Sequence, residues 1–86
     1  MLTLHGHYQV APNKRLTILA EADQQPKGTL PTDIRALSEA CAQNAGRCEV
    51  QVITQHGLMQ GTLTEKKPRQ LSRRLFEGHL AFLPRT

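Results

Sequence analysis

A cluster of basic residues is the clearest chemical signal in this chain of 86 residues. The stretch EKKPRQLSRRLF, residues 65–76, contains five of the eleven Lys and Arg residues. They are Lys66, Lys67, Arg69, Arg73 and Arg74, and residues 66–74 are called the basic segment below. The arginine guanidinium group can donate two hydrogen bonds to one phosphate. Clustered cations also favour binding to a polyanion because they release its counterions. The basic segment therefore predicts contact with nucleic-acid phosphates, in duplex DNA or in structured RNA.

Charge is distributed unevenly along the chain. Residues 1–65 carry five basic and six acidic side chains, whereas residues 66–86 carry six basic side chains and a single acidic one, Glu77. The formal net charge of +4 therefore comes from the last quarter of the sequence. An excess of one sign in one segment indicates a charged partner rather than a particular fold.

Base-specific recognition is not expected. The only aromatic residues are Tyr8, Phe76 and Phe82, which leaves few rings on which bases could stack. The chain also lacks helix-turn-helix, zinc-finger, RRM and KH signatures. Contacts to the phosphate backbone remain, and Arg35, Arg47 and Arg85 could add to them.

A protein-interaction module is the alternative prediction. The basic segment could dock on an acidic protein surface, since charge complementarity guides such contacts. An exposed strand edge could instead pair with a partner protein or with a second copy, giving a homodimer. The sequence leaves this adaptor or inhibitor function open beside the nucleic-acid function.

Histidine and cysteine spacing does not predict a metal site or another cofactor. His5 and His7 would lie on the same face of a strand, but two histidines fall short of the ligands that a closed site needs. Cys41 and Cys48 are seven residues apart and form no CxxC pair. Reduced, partly buried thiols are therefore expected.

Catalysis and membrane insertion are not expected either. The only serines, Ser38 and Ser72, fall on predicted helices without a glycine elbow, and no glycine-rich loop precedes a helix. No stretch approaches the roughly 18 apolar residues of a membrane span, and the first residues do not resemble a signal peptide. The prediction is a non-enzymatic cytoplasmic protein.

The spacing of apolar residues predicts one small domain of the α+β class over residues 1–86. Alternation at 2–10 and at 16–23, separated by APNKR at 11–15, predicts a first hairpin. A second hairpin is predicted over 48–65, with His56 and Gly57 at its tip and Val50 opposite Leu63. The expected sheet is antiparallel with four or five strands, as an open sheet or a small barrel.

Two helices are also predicted. The first covers 32–45, with Thr32 as its N-cap and Gly46 ending it, and its apolar side carries Ile34, Leu37, Cys41 and Ala45. The second is a short basic helix at 68–77, with Pro68 in its first turn and Gly78 as its stop. Its projection places Arg69, Arg73 and Arg74 on one side, away from Leu71, Leu75 and Phe76. A last strand at 79–83 completes the order ββαββαβ.

Overall fold

One mixed five-stranded sheet and one helix form the described part of the fold. The structure is a computed structural model that describes residues 1–21, 28–66 and 73–83. The elements in chain order are β1 (Leu2–Tyr8), β2 (Arg15–Glu21), α1 (Pro31–Gln43), β3 (Arg47–Thr54), β4 (Gly57–Lys66) and β5 (Arg73–Phe82). The predicted α+β class is confirmed.

The sheet differs from the antiparallel sheet that was predicted. Its strand order is β1-β3-β4-β5-β2; β1 runs parallel to β3, while the other neighbours are antiparallel. The predicted hairpin of the first two strands is wrong, because β1 and β2 lie at opposite ends of this order. The turn between them does form, since the Lys14 N–H donates to the Ala11 carbonyl at 2.8 Å. Alternation reveals which face of a strand is buried but not which strand is its neighbour.

The predicted basic helix is wrong from Arg73 onward. Residues 73–77 belong to β5, which pairs with β4 on one side and with β2 on the other. A central strand forms backbone hydrogen bonds along both edges, and such tertiary pairing overrides a weak local preference for helix. The first part of the predicted helix, 68–72, lies outside the described residues.

The second predicted hairpin, β3–β4, is confirmed with a corrected register. Gln55 and His56 form the turn, and Val50 lies opposite Gly61 instead of Leu63. The left-handed conformation falls on Gly57, with φ at 102°, so His56 is spared a backbone conformation that is costly for a side-chain-bearing residue. Because the register differs by two residues, every side chain still points to the predicted face.

Helix α1 begins one residue earlier than predicted and ends two residues earlier. Leu30 is its N-cap and Pro31 occupies the first turn, so Thr32 is not the N-cap. Proline suits this position because its missing N–H has no partner in the first turn of a helix. Gly46 does adopt the left-handed conformation predicted for the residue after the helix, since its φ is 83° and its N–H donates to the Cys41 carbonyl at 2.7 Å.

The core lies between the concave face of the curled sheet and α1, which packs against β1, β3 and β4. Its buried apolar residues are Leu4, Tyr8, Val10, Leu16, Ile18, Leu37, Cys41, Cys48, Val50, Val52, Met59, Leu63, Phe76 and Leu80. Both edge strands line one cleft, although they stand at opposite ends of the strand order. The sheet therefore curls toward a barrel without closing between β1 and β2.

Candidate nucleic-acid interface

The two ends of the basic segment lie side by side. Lys66 ends β4 and Arg73 begins β5, and these strands are antiparallel neighbours with Lys66 opposite Leu75. The strand ends that flank Lys67 and Arg69 in sequence therefore lie at the same end of the sheet. Lys67 and Arg69 themselves lie outside the described residues.

Lys66 and Arg73 share the convex face of the sheet, and each has a glutamate partner. Arg73 lies 3.1 Å from Glu21 on β2, and Lys66 Nζ lies 3.4 Å from Glu77 on β5. The side chains of Lys66 and Arg73 are 54% and 49% exposed. Ion pairs this exposed are weak, so a phosphate can compete for either cation.

Arg74 points to the opposite face of the sheet from Arg73, because successive strand residues alternate. Its Nε donates to Glu65 Oε2 at 2.7 Å and its Nη2 donates to Oε1 at 3.2 Å. Such a two-pronged pair holds the guanidinium in a defined orientation. Arg73 and Arg74 therefore do not share one side, as the helical projection required.

Glu77 is the centre of a small charge row on the convex face. Arg15 approaches it at 2.7 Å from β2, and Lys66 approaches it from β4. The hydrogen bond from Arg15 is the main cause that holds the pKa of Glu77 below its ordinary value, and Lys66 adds to it. This part of the surface thus carries charges of both signs instead of cations alone.

The described residues are close to charge balance. They include seven Lys and Arg side chains against six Asp and Glu side chains. The remaining segments hold Lys27, Lys67, Arg69 and Arg85 against Asp23. Most of the positive excess that motivates a polyanion partner therefore belongs to residues outside the described ranges.

Asp33 is a buried carboxylate whose position the sequence analysis missed. It is only 2% exposed, and its Oδ2 accepts hydrogen bonds from the Gly6 N–H at 2.8 Å and the Tyr8 hydroxyl at 2.6 Å. Its Oδ1 accepts the His5 N–H at 3.0 Å. Asp33, Leu37 and Cys41 recur every four residues, so the helical stripe itself could have indicated that the carboxylate faces inward. Asp33 anchors α1 to β1.

Tyr8 should resist ionisation as long as the chain is folded. Burial, the hydrogen bond to Asp33 and the charge of Asp33 together raise the pKa of Tyr8 above its ordinary value. The contribution of the protonated Tyr8 hydroxyl to folding stability is therefore fully present below about pH 10 and is lost as the pH rises beyond it. Tyr8 is the only tyrosine and there is no tryptophan, so near-ultraviolet absorbance reports its phenolate directly. We expect phenolate to form together with the loss of circular dichroism.

The denatured chain is the control for this titration and should ionise near pH 10. Phenolate forming near that pH in a chain that keeps its native circular dichroism would contradict the Tyr8–Asp33 hydrogen bond.

The histidines and cysteines form no recognisable reactive site in the part of the chain that is described. His5 and His7 are exposed on the outer face of β1, and no described group of three or more His, Cys, Asp or Glu residues could hold a metal ion. Cys41 and Cys48 are buried, and burial raises the pKa of each thiol. A raised pKa suppresses the thiolate and hence the reactivity of these cysteines.

A cleft of about 570 Å³ lies between the two edge strands. It is lined by His7, Tyr8, Gln9, Leu16, Thr17, Ile18, Gly28, Thr29, Thr54 and Gln55. Thr54 is almost completely buried there, but its hydroxyl donates to the Gly57 carbonyl at 2.8 Å. The cleft is therefore the open seam between β1 and β2.

Comparison with protein-family models finds no match, and comparisons with curated proteins and with solved structures find none either. In residues 1–21, 28–66 and 73–83, no helix has the length and apolar character needed to cross a membrane.

Proposed function

We propose that this chain is a small non-enzymatic binding protein that contacts nucleic-acid phosphates through Lys66, Lys67, Arg69, Arg73 and Arg74. Binding involves the phosphate backbone of duplex DNA or structured RNA, requires no cofactor and does not read base sequence. The observation that supports this most is the adjacency of the two ends of the basic segment. Lys66 and Arg73, which flank Lys67 and Arg69 in sequence, lie at the same end of the sheet.

The five cations do not contribute equally to this proposal. Lys66 and Arg73 are about half exposed. The Arg73–Glu21 pair is a weak surface ion pair, and Glu77 keeps Arg15 at 2.7 Å when Lys66 binds elsewhere. Arg74 is bound by two hydrogen bonds to Glu65, whose side chain is only 15% exposed. Removing Arg74 from Glu65 would leave a partly buried carboxylate without its partner. We therefore expect Arg74 to add the least to phosphate binding.

Simultaneous replacement of Lys67 and Arg69 by Ala tests the proposal. We expect weaker binding, because each lost phosphate contact lowers the slope of log affinity against log salt by about 0.9 for B-DNA. Fluorescence anisotropy with duplex DNA, structured RNA and single-stranded DNA, measured over a series of salt concentrations, gives this slope. Duplexes of different sequence should bind alike, since no base contacts are proposed.

The matched control is the double change of Arg35 and Arg47 to Ala. Both residues are exposed, and this variant loses the same formal charge from a different part of the surface. We expect it to retain more of the wild-type salt slope than the Lys67/Arg69 variant. Equal slopes for the two variants would contradict a dominant contribution of the basic segment to binding.

A protein-interaction module is the second candidate, favoured by the mixed charges of the convex face. Arg15, Lys66 and Arg73 on this face already have glutamate partners, and such an alternating surface suits a protein of complementary charge better than a uniform polyanion. This candidate predicts no polyanion binding even at low salt. The same anisotropy series therefore separates the two functions.

A further inference from the structure

Strand β2 has hydrogen-bonding groups along one edge that no described residue satisfies. The Leu80 N–H donates to the Lys14 carbonyl at 2.8 Å. The backbone groups of Lys14, and of every second residue after it, therefore point toward β5. Backbone groups alternate along a strand, so those of Arg15, Thr17, Leu19 and Glu21 point to the other side. Within the described ranges, no hydrogen bond reaches the backbone of Thr17 or Leu19 on that side.

The edge of β1 is protected, in contrast. The N–H groups of His5 and Gly6 donate to the carboxylate of Asp33, and the His7 N–H donates to the Gly28 carbonyl at 3.1 Å. Proteins commonly cover or interrupt edge strands in this way, because an uncovered edge pairs with other strands. At the start of β2 the preceding turn covers the edge, since the Arg15 N–H donates to Asn13 Oδ1 at 3.1 Å and its carbonyl accepts the Ala11 N–H at 3.0 Å. No described residue covers Thr17 or Leu19, and Thr17 borders the open cleft.

The side chains of β2 are self-complementary. If two copies of β2 run antiparallel about a two-fold axis at Ile18, Thr17 of one copy lies opposite Leu19 of the other. Both residues direct their N–H and C=O groups to this edge, so each such pair exchanges hydrogen bonds in both directions. In the same register, Arg15 of one copy lies opposite Glu21 of the other.

This register continues the charge pattern that already exists on the convex face. Within one copy, Arg73 lies 3.1 Å from Glu21 and Arg15 lies 2.7 Å from Glu77. Antiparallel pairing adds a contact between Glu21 and the second copy's Arg15, so charges alternate in sign across the two sheets. A parallel arrangement in register would instead set Arg against Arg and Glu against Glu, which is unfavourable.

We propose that this chain forms a homodimer by antiparallel pairing of β2 with β2 of a second copy, which joins the two sheets into one. The occupant of the open edge is a second copy because the Arg15 and Glu21 charges complement each other only under this symmetry. The proposal rests on the edge of β2 and is independent of phosphate binding by the basic segment.

Replacement of Thr17 by Pro tests the edge directly. The Thr17 N–H points away from β5, so proline leaves the β2–β5 hydrogen bonds intact while it removes an edge donor and blocks the approach of another strand. We expect wild-type protein to sediment as a dimer at low salt and Thr17→Pro to sediment as a monomer with native circular dichroism. Thr17→Val, which keeps the N–H, should remain dimeric.

A charge reversal provides the second variant, and it decides the question if Thr17→Pro fails to fold. Glu21→Arg places two arginines opposite each other at both ends of the interface, so we expect dimerisation to weaken at least tenfold. Glu39→Arg makes the same change of charge at an exposed position of α1 and should leave dimerisation unchanged. A wild-type protein that is monomeric at all accessible concentrations overturns the proposal. So does a dimer that Glu21→Arg leaves as stable as wild type.

Discussion

Replacement of Asp33 by Ala is expected to lower the free energy of unfolding by about 3 to 5 kcal/mol. The change removes the acceptor of three hydrogen bonds, from the N–H groups of His5 and Gly6 and from the hydroxyl of Tyr8. Donors left buried without an acceptor each cost about 1 to 3 kcal/mol. A domain of this size has a total stability of roughly 4 to 13 kcal/mol, so the loss is a large fraction of it. Urea unfolding followed by circular dichroism measures it.

The control for this variant is Glu39→Ala, an exposed carboxylate on the same helix. It should change stability by no more than about 0.5 kcal/mol. Tyr8→Phe removes one of the three donors and should cost less than Asp33→Ala. Because the phenylalanine ring leaves no hydroxyl unsatisfied, the double variant should cost less than the sum of the single changes. An Asp33→Ala protein as stable as Glu39→Ala would contradict the anchoring of α1 to β1.

Replacement of Gly78 by Ala is expected to lower the free energy of unfolding by about 3 kcal/mol. A Cβ atom at this position would overlap the carbonyl oxygen of Thr62 and lie 3.3 Å from the Leu63 Cα. Both atoms belong to the backbone of β4, so relief requires the two central strands to separate. Elsewhere in a strand the same change usually stabilises a protein by about 0.4 to 1 kcal/mol, because glycine loses the most entropy on folding. The sign of the effect therefore reports the close approach of β4 and β5.

Ala81→Ser is the matched control, since it adds one heavy atom at an exposed position of the same strand. We expect it to be neutral within about 0.5 kcal/mol. Gly61→Ala provides an independent check from β4, because its Cβ would overlap the carbonyl oxygen of His79. If both glycine variants unfold at the wild-type urea concentration, the close approach of β4 and β5 at these two positions is contradicted.

The sequence predicted elements with strong local signals better than it predicted their partners. Helix α1, which precedes Gly46, and the β3–β4 hairpin were found because a terminating glycine, a helical stripe and a turn are local patterns. The pairing of β1 with β3 depends on residues almost fifty positions apart, and no local pattern records it. The same limit applies to Asp33. The helical spacing of Asp33, Leu37 and Cys41 could have indicated that its side chain points inward, but no local pattern identifies the donors on β1 that it binds.

The basic segment shows most clearly which properties follow from the sequence and which depend on the tertiary structure. The sequence by itself determined the α+β class, the buried faces of β1 to β4 and the concentration of cations in residues 66–74, because these depend on composition and period. Only the tertiary structure decided that Arg73 and Arg74 lie on a strand and point to opposite faces. It also decided that Lys66, Arg73 and Arg74 have the glutamate partners Glu77, Glu21 and Glu65. The physical reason is that β5 pairs along both edges, with β4 on one side and with β2, which is distant in sequence, on the other. Those pairings bring the glutamates of β2 and β4 to the arginines.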